Sequence, residues 1–225
     1  KGNKIARPIQ IEKQTSSTCL TIDVRTSCQS LIQNAYLSIH RMANAQKNKQ
    51  DNNRMMGMAA VNNSNAFNLI QDVFIGGDCF DISAVTKKGN NGQLGTFSSG
   101  MSSIDIDEGV IISTGDVTNA NGTNNSSSTS TGYNGNGNDA DLTALGGGAQ
   151  LFDVAGIEFD FTPTVPQISF EYVFASEEYC EFAGSQFNDV FGFFISGPGI
   201  NGTFANNAEN IAVIPGSGAY VGINT

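Results

Sequence analysis

Charged residues are scarce in this chain, and basic residues are the scarcer kind. Of the 225 residues, 11 are Lys or Arg and 21 are Asp or Glu, which gives a net charge of −10 at pH 7 and an isoelectric point near 4.3. Nucleic-acid binding needs clustered Lys and Arg that neutralise phosphates. The composition therefore argues against a nucleic-acid partner and is typical of an acidic extracellular protein or of a protein that binds cations.

The sequence also lacks a long apolar run. No stretch approaches the roughly 18 apolar residues of a membrane helix, and Lys1 is not followed by the apolar core of a signal peptide. We therefore expect no direct insertion into a membrane. We interpret the chain as a mature or excised piece of a larger protein whose anchor lies elsewhere.

Residues suited to catalysis are few. The only histidine, His40, falls in a segment that we predict to be helical, and Ser or Cys nucleophiles usually need a histidine base. The run Gly146-Gly147-Gly148 lacks the Lys of a phosphate-binding loop. A glycosidase needs two carboxylates about 5–9.5 Å apart, but the many acidic residues make some such pair inevitable. We predict no catalytic residues, and a polysaccharide hydrolase is the weakest alternative.

Phenylalanine and small residues are plentiful, and after Cys79 they form strand-like patterns. Apolar and polar residues alternate in Ile157–Phe161 and Ile168–Phe174, as they do in a strand with one buried face. Nine of the 15 Phe residues lie between Phe159 and Phe194, which indicates one aromatic core. The predicted strands are Cys79–Lys87, Ile104–Ser113, Leu151–Phe161, Ile168–Ala175, Val190–Ser196, Asn210–Ile214 and Ala219–Ile223.

The pattern before Cys79 is mixed. Residues 1–25 are rich in Ile, Val and Thr like a strand, whereas apolar residues at 3.6-residue spacing predict a helix from Ser27 to Met42. A second apolar stretch, Met55–Ile75, ends at Gly76-Gly77, a natural helix stop.

The fold class that follows is mainly β: an antiparallel, jelly-roll-like β-sandwich with an N-terminal helical segment and with helices confined to the region before Cys79. We predict that residues 1–67 form a strand and helical segment packed on or preceding the sandwich. Residues 68–225 would form the sandwich itself, which we expect to continue beyond residue 225 in the full-length protein.

An acidic and amide-rich segment separates two of the apolar strands. Calcium prefers six to eight oxygen ligands, and this segment offers oxygen without nitrogen or sulfur. Like charges between two apolar strands repel each other unless a cation compensates them. We therefore predict calcium as a cofactor, held by a site composed of Glu177, Glu178, Asn188, Asp189, Asp139 and Asp141.

The same segment supports a second interpretation without metal. Ser176 would cap a short helical turn whose first positions, Glu177 and Glu178, interact favourably with the helix dipole. Asn188 and Asp189 would then shape the turn before the next strand. The sequence leaves both interpretations open.

Several blocks of the sequence, taken in order, resemble one protein family. FASEEY at 174–179 and FNDVFGFF at 187–194 precede the small-residue turn SGPG at 196–199. Earlier blocks in the same order are GGDC at 76–79, GTF at 95–97, GVIISTG at 109–115, DADL at 139–142 and IEFDF at 157–161. Together they are similar to the bacterial choice-of-anchor L domain, over about residues 68–225. The resemblance implies a secreted, surface-displayed module held outside the cell by a sorting or anchoring tail, and it implies no particular ligand.

Four cysteines are present, and they lack the paired spacing of a zinc site. An even number in an exported protein favours disulfides, although three connectivities are possible. Cys79 ends one block of the resemblance and Cys180 directly follows another, whereas Cys19 and Cys28 share the N-terminal segment. We therefore predict Cys79–Cys180 and Cys19–Cys28, with free buried thiols as the alternative.

The function that these features favour is a non-catalytic extracellular surface module, structural or adhesive, within a larger anchored or secreted bacterial protein. Its expected partners are other domains of the same polypeptide or neighbouring surface subunits. A calcium-dependent glycan-binding domain is the alternative, because sandwiches often display binding loops at one end and calcium can bridge sugar hydroxyls. The absence of Trp weighs against glycans, since Trp is the commonest platform on which sugars stack.

Overall fold

The computed structural model describes residues 4–12, 20–28, 35–40, 58–76, 80–100, 104–121, 131–133, 136–163, 167–176, 184–185, 188–214 and 216–224. For the first three ranges it describes the backbone only.

Twelve strands form two sheets in the described part of the chain, and every pair of neighbouring strands is antiparallel. The first sheet has the order β1-β10-β3-β7-β6-β4, and the second has the order β12-β11-β2-β9-β5 with β8 also paired to β9. Antiparallel β structure was the predicted fold class, and it is confirmed. The strands are β1 Lys4–Glu12, β2 Leu20–Cys28, β3 Ala35–His40, β4 Ala59–Asn62, β5 Phe80–Lys88, β6 Leu94–Ser98, β7 Gly109–Ser113, β8 Asn136–Gly137, β9 Leu151–Pro163, β10 Gln167–Ser176, β11 Val190–Ser196 and β12 Glu209–Asn210.

The N-terminal strands lie inside both sheets. β2 pairs with β11 and β9, and β3 pairs with β10 and β7, so each has a neighbour on both edges. The helix predicted from Ser27 to Met42 is therefore wrong over the described residues, because Ser27 belongs to β2 and His40 ends β3. In a segment as short as Ala35–His40, the spacing of apolar residues fits either a helix or a strand. Pairing with the backbones of β10 and β7 selects the strand. Strands that precede the predicted boundary between residues 67 and 68 therefore belong to the same two sheets as strands that follow it.

Besides short 3-10 turns at Asn91–Gln93, Val117–Ala120 and Ala205–Asn207, two α- or π-helical segments of six or more residues accompany the sheets in the described part of the chain. The first consists of α1, Ala66–Asn68, which runs directly into a π-helical segment, Leu69–Ile75. The side chain of Asn65 caps its start by accepting from the Asn68 N–H, and Gly76 ends it in the left-handed conformation with φ of 69°. The predicted helix stop at Gly76 is confirmed.

The second helix, α2, spans Ala140–Leu145 and corrects the expectation that helices are confined to the region before Cys79. Its length of 6 residues is too short for a periodic apolar pattern to be evident in the sequence.

Aromatic rings connect the two sheets. The rings of Phe170 in β10 and Phe193 in β11 stack with centroids 4.4 Å apart, and Tyr172 lies 5.3 Å from Phe191 in the same pair of strands. Phe74, from the π-helical segment, makes edge contacts with a ring of each sheet, Phe159 at 6.3 Å and Phe170 at 5.9 Å. The predicted inward alternation is confirmed in both strands, where the buried residues are Ile157, Phe159, Phe161, Phe170, Tyr172 and Phe174.

The outer face of the first sheet is also covered, which the alternating pattern of β10 did not indicate. Val173, on the face opposite Tyr172, is buried together with Phe97 and Ile111. Ile104, Ile106 and Val117, from the segments that flank β7, pack over them. Every residue of β7 is buried, so both faces of this strand are packed and contribute to stability.

Removing the Phe74 ring should weaken the packing between the sheets. Phe74 is 1% exposed, and Phe→Ala changes at buried sites cost about 3–5 kcal/mol because they leave a cavity. Urea unfolding of Phe74→Ala should show a loss of that size. Phe67→Ala is the matched control on α1, because Phe67 is 50% exposed and its truncation should cost less than about 1 kcal/mol. Equal losses in the two variants would contradict the central role of Phe74.

Tyr172 carries a hydroxyl that has no hydrogen-bond partner among the described residues, and the residue is 1% exposed. Leaving such a group unpaired costs about 1–3 kcal/mol. Tyr172→Phe should therefore preserve or increase the free energy of unfolding at pH 8, as measured in urea. A loss of more than about 1 kcal/mol would show that the hydroxyl has a partner.

Tyr172 should also make stability depend on alkaline pH. Burial raises the pKa of its phenol to about 12, above the value of 10.0 that it has when exposed. Because its pKa is higher in the folded state, the neutral phenol contributes stability below pH 10. This contribution is lost as the pH rises from 10 to 12. Tyr172→Phe should lose less stability between pH 9 and 11 than the unmodified chain does. Tyr220→Phe, which alters an exposed ring, should retain the full loss.

Candidate functional site

The residues of the predicted calcium site are distributed over several elements. Glu177 and Glu178 lie outside the described residues. Asp189 immediately precedes β11 and is fully buried, at 0% exposure. The Ser176 hydroxyl at the end of β10 donates to Asp189 Oδ2 at 3.3 Å, so this carboxylate lies between the two sheets. Asn188 Oδ1 accepts from the Asn224 N–H at 3.1 Å.

Asp139 and Asp141 hold α2 in place. Asp139 is the N-cap residue, and its Oδ1 accepts from the Leu142 N–H at 2.9 Å. Its Oδ2 forms a salt bridge with Lys88 Nζ at 2.8 Å, with the carboxylate side chain fully buried. Asp141 Oδ1 accepts from the Ala205 N–H at 3.0 Å and so connects α2 to the turn before β12.

The structure does not bring these two groups of acids together. Leu142 of α2 is buried with Val190 and Phe194, which lie on the face of β11 opposite the main core. Asp139 and Asp141 are therefore on the outer side of the second sheet, whereas Asp189 faces the first sheet. No group of three or more His, Cys, Asp or Glu side chains suited to a metal occurs within the described ranges. A calcium site that includes Glu177 and Glu178 stays a prediction.

Sequence reasoning missed the contacts that use these carboxylates. An N-cap signal for Asp139 was available, because Asp precedes a short run that contains Leu142 and Leu145. Its partner Lys88 is 51 residues away in sequence. The Lys88 ammonium lies beside the Asp139 carboxylate because β5 pairs with β9 and because α2 lies over the second sheet.

A third carboxylate, Asp116, organises the polar surface beside β4. Its Oδ1 accepts from the N–H and hydroxyl of Thr118, and its Oδ2 accepts from the Tyr133 hydroxyl at 3.0 Å. Partial burial raises the pKa of the Asp116 carboxyl, but these hydrogen bonds outweigh it and hold the pKa below its ordinary value. Burial and the bond to Asp116 raise the pKa of Tyr133 to about 12. Asp116 thus stabilises the turn Val117–Ala120 and fixes Tyr133 to it.

The cysteines are described only in part. Cys79 and Cys180 lie outside the described residues, so their bond stays a prediction. Cys28 ends β2. Cys19 also lies outside the described residues, so the Cys19–Cys28 bond stays a prediction as well.

Comparison with known proteins identifies a family over most of the chain. The family model of the choice-of-anchor L domain matches residues 58–225, which begins at β4 and includes the helical segments and all later strands. Comparisons with curated proteins and with solved structures gave no match. Among the described residues, no helix is long and apolar enough to cross a membrane. Because the family model covers far more than half of the sequence, the chain belongs to the choice-of-anchor L domain family.

Proposed function

We propose that this chain is a non-catalytic surface module, structural or adhesive, within a larger bacterial protein that is secreted or anchored at the cell surface. Membership of the choice-of-anchor L family supports a surface module. The observation that carries the proposal is that acidic side chains form contacts between segments of the chain. Asp116, Asp139 and Asp141 each connect one segment of the chain to another, so they strengthen the fold.

This use of carboxylates suits a module that works outside the cell. Loops held by side-chain hydrogen bonds and by a salt bridge with a buried carboxylate open less readily than loops held by backbone contacts alone. The aromatic contacts between the sheets add stability that does not depend on salt. Such a scaffold can present a constant surface to neighbouring domains or subunits.

Deleting the module from its parent protein would separate the structural from the adhesive role. In producing cells, the amount of parent protein at the surface and the attachment of cells to a substratum are both measured. We expect attachment to fall at least severalfold. Loss with an unchanged surface amount indicates adhesion, and loss with a reduced surface amount indicates a structural role. The matched control replaces Phe67 by Ala in the intact parent, because this exposed ring is outside the core.

The same purified chain can test the alternatives. Binding on a glycan array that disappears with chelator would replace this proposal by the calcium-dependent glycan-binding function. Release of reducing sugar from a polysaccharide would replace it by hydrolysis. Unchanged attachment and unchanged surface amount after deletion would contradict the surface role.

Calcium is a separate proposal, supported by the full burial of Asp189 and by its hydrogen bond from Ser176, which directly precedes Glu177 and Glu178 in the sequence. A ligand that binds only the folded state at about a hundred times its Kd adds about 2.7 kcal/mol. Thermal melts in millimolar calcium and in excess chelator should therefore differ by several degrees.

Asp189→Asn should remove most of this difference, because the amide keeps the shape but not the charge. It should also lower the melt in chelator, since the Ser176 hydroxyl loses a charged acceptor. Glu209→Gln is the control at an exposed site and should keep the difference intact. Coincident melts of the unmodified chain would discard the calcium proposal and leave the surface module without a metal.

A further inference from the structure

A series of three aromatic rings leads from the outer face of the second sheet to the surface. Phe194 of β11 is buried there, and its ring meets the ring of Phe204 edge to face, with centroids 4.9 Å apart. Phe204 is half-buried and contacts Tyr220 in the same manner at 6.1 Å. Tyr220 is 41% exposed. The two inner rings therefore support a large ring at the surface.

Backbone hydrogen bonds fix the two segments that carry the outer rings. Tyr220 forms an antiparallel β-bridge with Val213. The Phe204 N–H donates to the Ala208 carbonyl at 3.1 Å. A tyrosine ring held in this way offers a rigid contact surface, so a ligand that covers it immobilises little additional conformational freedom.

The surface around Tyr220 is polar but almost uncharged. Residues 195–225 include one charged side chain, Glu209, although the whole chain has a net charge of −10. The exposed side chains nearest to Phe204 in sequence carry amide or hydroxyl groups: Asn201, Thr203, Asn206 and Asn207. Such groups both donate and accept hydrogen bonds. This rim therefore suits a ligand that is itself neutral and rich in hydroxyl groups.

Two of these amides occur where the backbone favours glycine. Asn206 and Asn207 both have φ of 57°, in the left-handed region that glycine adopts at least cost. Nearby turns do use glycine in this region, at Gly199 with φ of 88° and Gly216 with φ of 83°. The turn Ala205–Asn207 thus carries two exposed amides at positions where glycine would be less strained.

We propose that Tyr220, Asn206 and Asn207, which we call the Tyr220 platform, bind a neutral polysaccharide. Its units are pyranose rings with equatorial hydroxyl groups, as in a β-linked glucan. The carbon–hydrogen face of one pyranose lies on the Tyr220 ring, and its hydroxyls exchange hydrogen bonds with the two amides. The contact uses neutral groups on both sides, so it needs no cation.

A single ring with a polar rim favours a sugar over a protein partner or a second copy. Protein interfaces bury about 800 Å² on each partner, around a centre of several apolar side chains. The other large apolar side chains that are exposed in the described part of the chain are Val61 and Phe67, which belong to β4 and α1. Tyr220 therefore provides one flat apolar surface, which matches the face of one pyranose. Tyrosine offers a smaller ring than Trp, so we expect weak binding.

The inference rests on the adhesive form of the proposed function, for which it names the ligand class. Cellohexaose, a chain of β-linked glucose rings, is titrated into the whole chain and followed by NMR. The amide resonances of Asn206, Asn207 and Tyr220 should shift to saturation. The Kd should be the same in calcium and in chelator, and the same at about 50 and 500 mM salt. Cellohexaose oxidised to carboxylates at C6 should bind more weakly at the lower salt, because the chain is acidic.

Substitutions test the platform itself. Tyr220→Ala should weaken binding at least about tenfold, whereas Tyr220→Phe should keep the Kd within about threefold because the ring remains. Asn206→Gly and Asn207→Gly should each weaken binding about threefold or more, since glycine keeps the left-handed backbone and removes only the amide. Phe67→Ala is the matched control, because it removes an exposed ring from α1 and should leave the Kd unchanged. Thermal melts check that each variant remains folded.

Three results would overturn the proposal: no saturable shift with cellohexaose, equal losses in Tyr220→Ala and Phe67→Ala, or binding that chelator abolishes. The surface role is tested separately, by attachment of cells to a cellulose-coated surface. Parent protein with Tyr220→Ala should reach the surface in an unchanged amount and attach less. Cellohexaose binding by the purified chain with unchanged attachment would keep the platform and contradict the adhesive role. Attachment that depends on the module, without cellohexaose binding, would keep the surface role and overturn this inference.

Discussion

The stacked rings of Phe170 and Phe193 join the two sheets, and the rest of the structure depends on this contact. Each ring belongs to a strand with neighbours on both sides, so the stack fixes the relative position of β10 and β11. Phe74 adds edge contacts to rings of both sheets and so attaches the π-helical segment to the same core. Aromatic pairs contribute about 0.5–1.5 kcal/mol beyond their buried area, and they restrict the geometry as well.

Polar contacts secure the segments that this core leaves at its margins. α2 lies on the outer face of the second sheet, where the Asp139–Lys88 salt bridge and the N-cap bond to Leu142 hold it. A salt bridge whose carboxylate is buried gains little over apolar packing of the same volume, but it favours one arrangement when the other carboxylate oxygen is also hydrogen bonded, as Asp139 Oδ1 is. Asp116 has a similar role at the turn beside β4. The acidic composition, which first suggested cation binding, thus has a structural use at these positions.

The edge strand β4 is also secured by polar contacts. Exposed edges are sites of unwanted strand pairing, and proteins protect them with side chains, turns or charge. Asn121 supplies such protection by two hydrogen bonds to the backbone of Ala60.

The sequence by itself determined the antiparallel β character, the strands β9, β10 and β11 and the glycine that ends the helical segment, because each depends on local periodicity or backbone freedom. The alternation of Phe159 and Phe161, and of Phe170 and Phe174, already identified the faces that form the core. Tertiary structure alone decided the conformation of Ala35–His40, where local patterns are ambiguous and pairing with β10 and β7 selects a strand. It also decided the positions of Asp139 and Asp189, which the sequence grouped by chemistry. Strand β11 separates them because its successive side chains point to opposite faces of the sheet. The Asp139–Lys88 salt bridge depends on strand pairing, which a local sequence pattern does not predict.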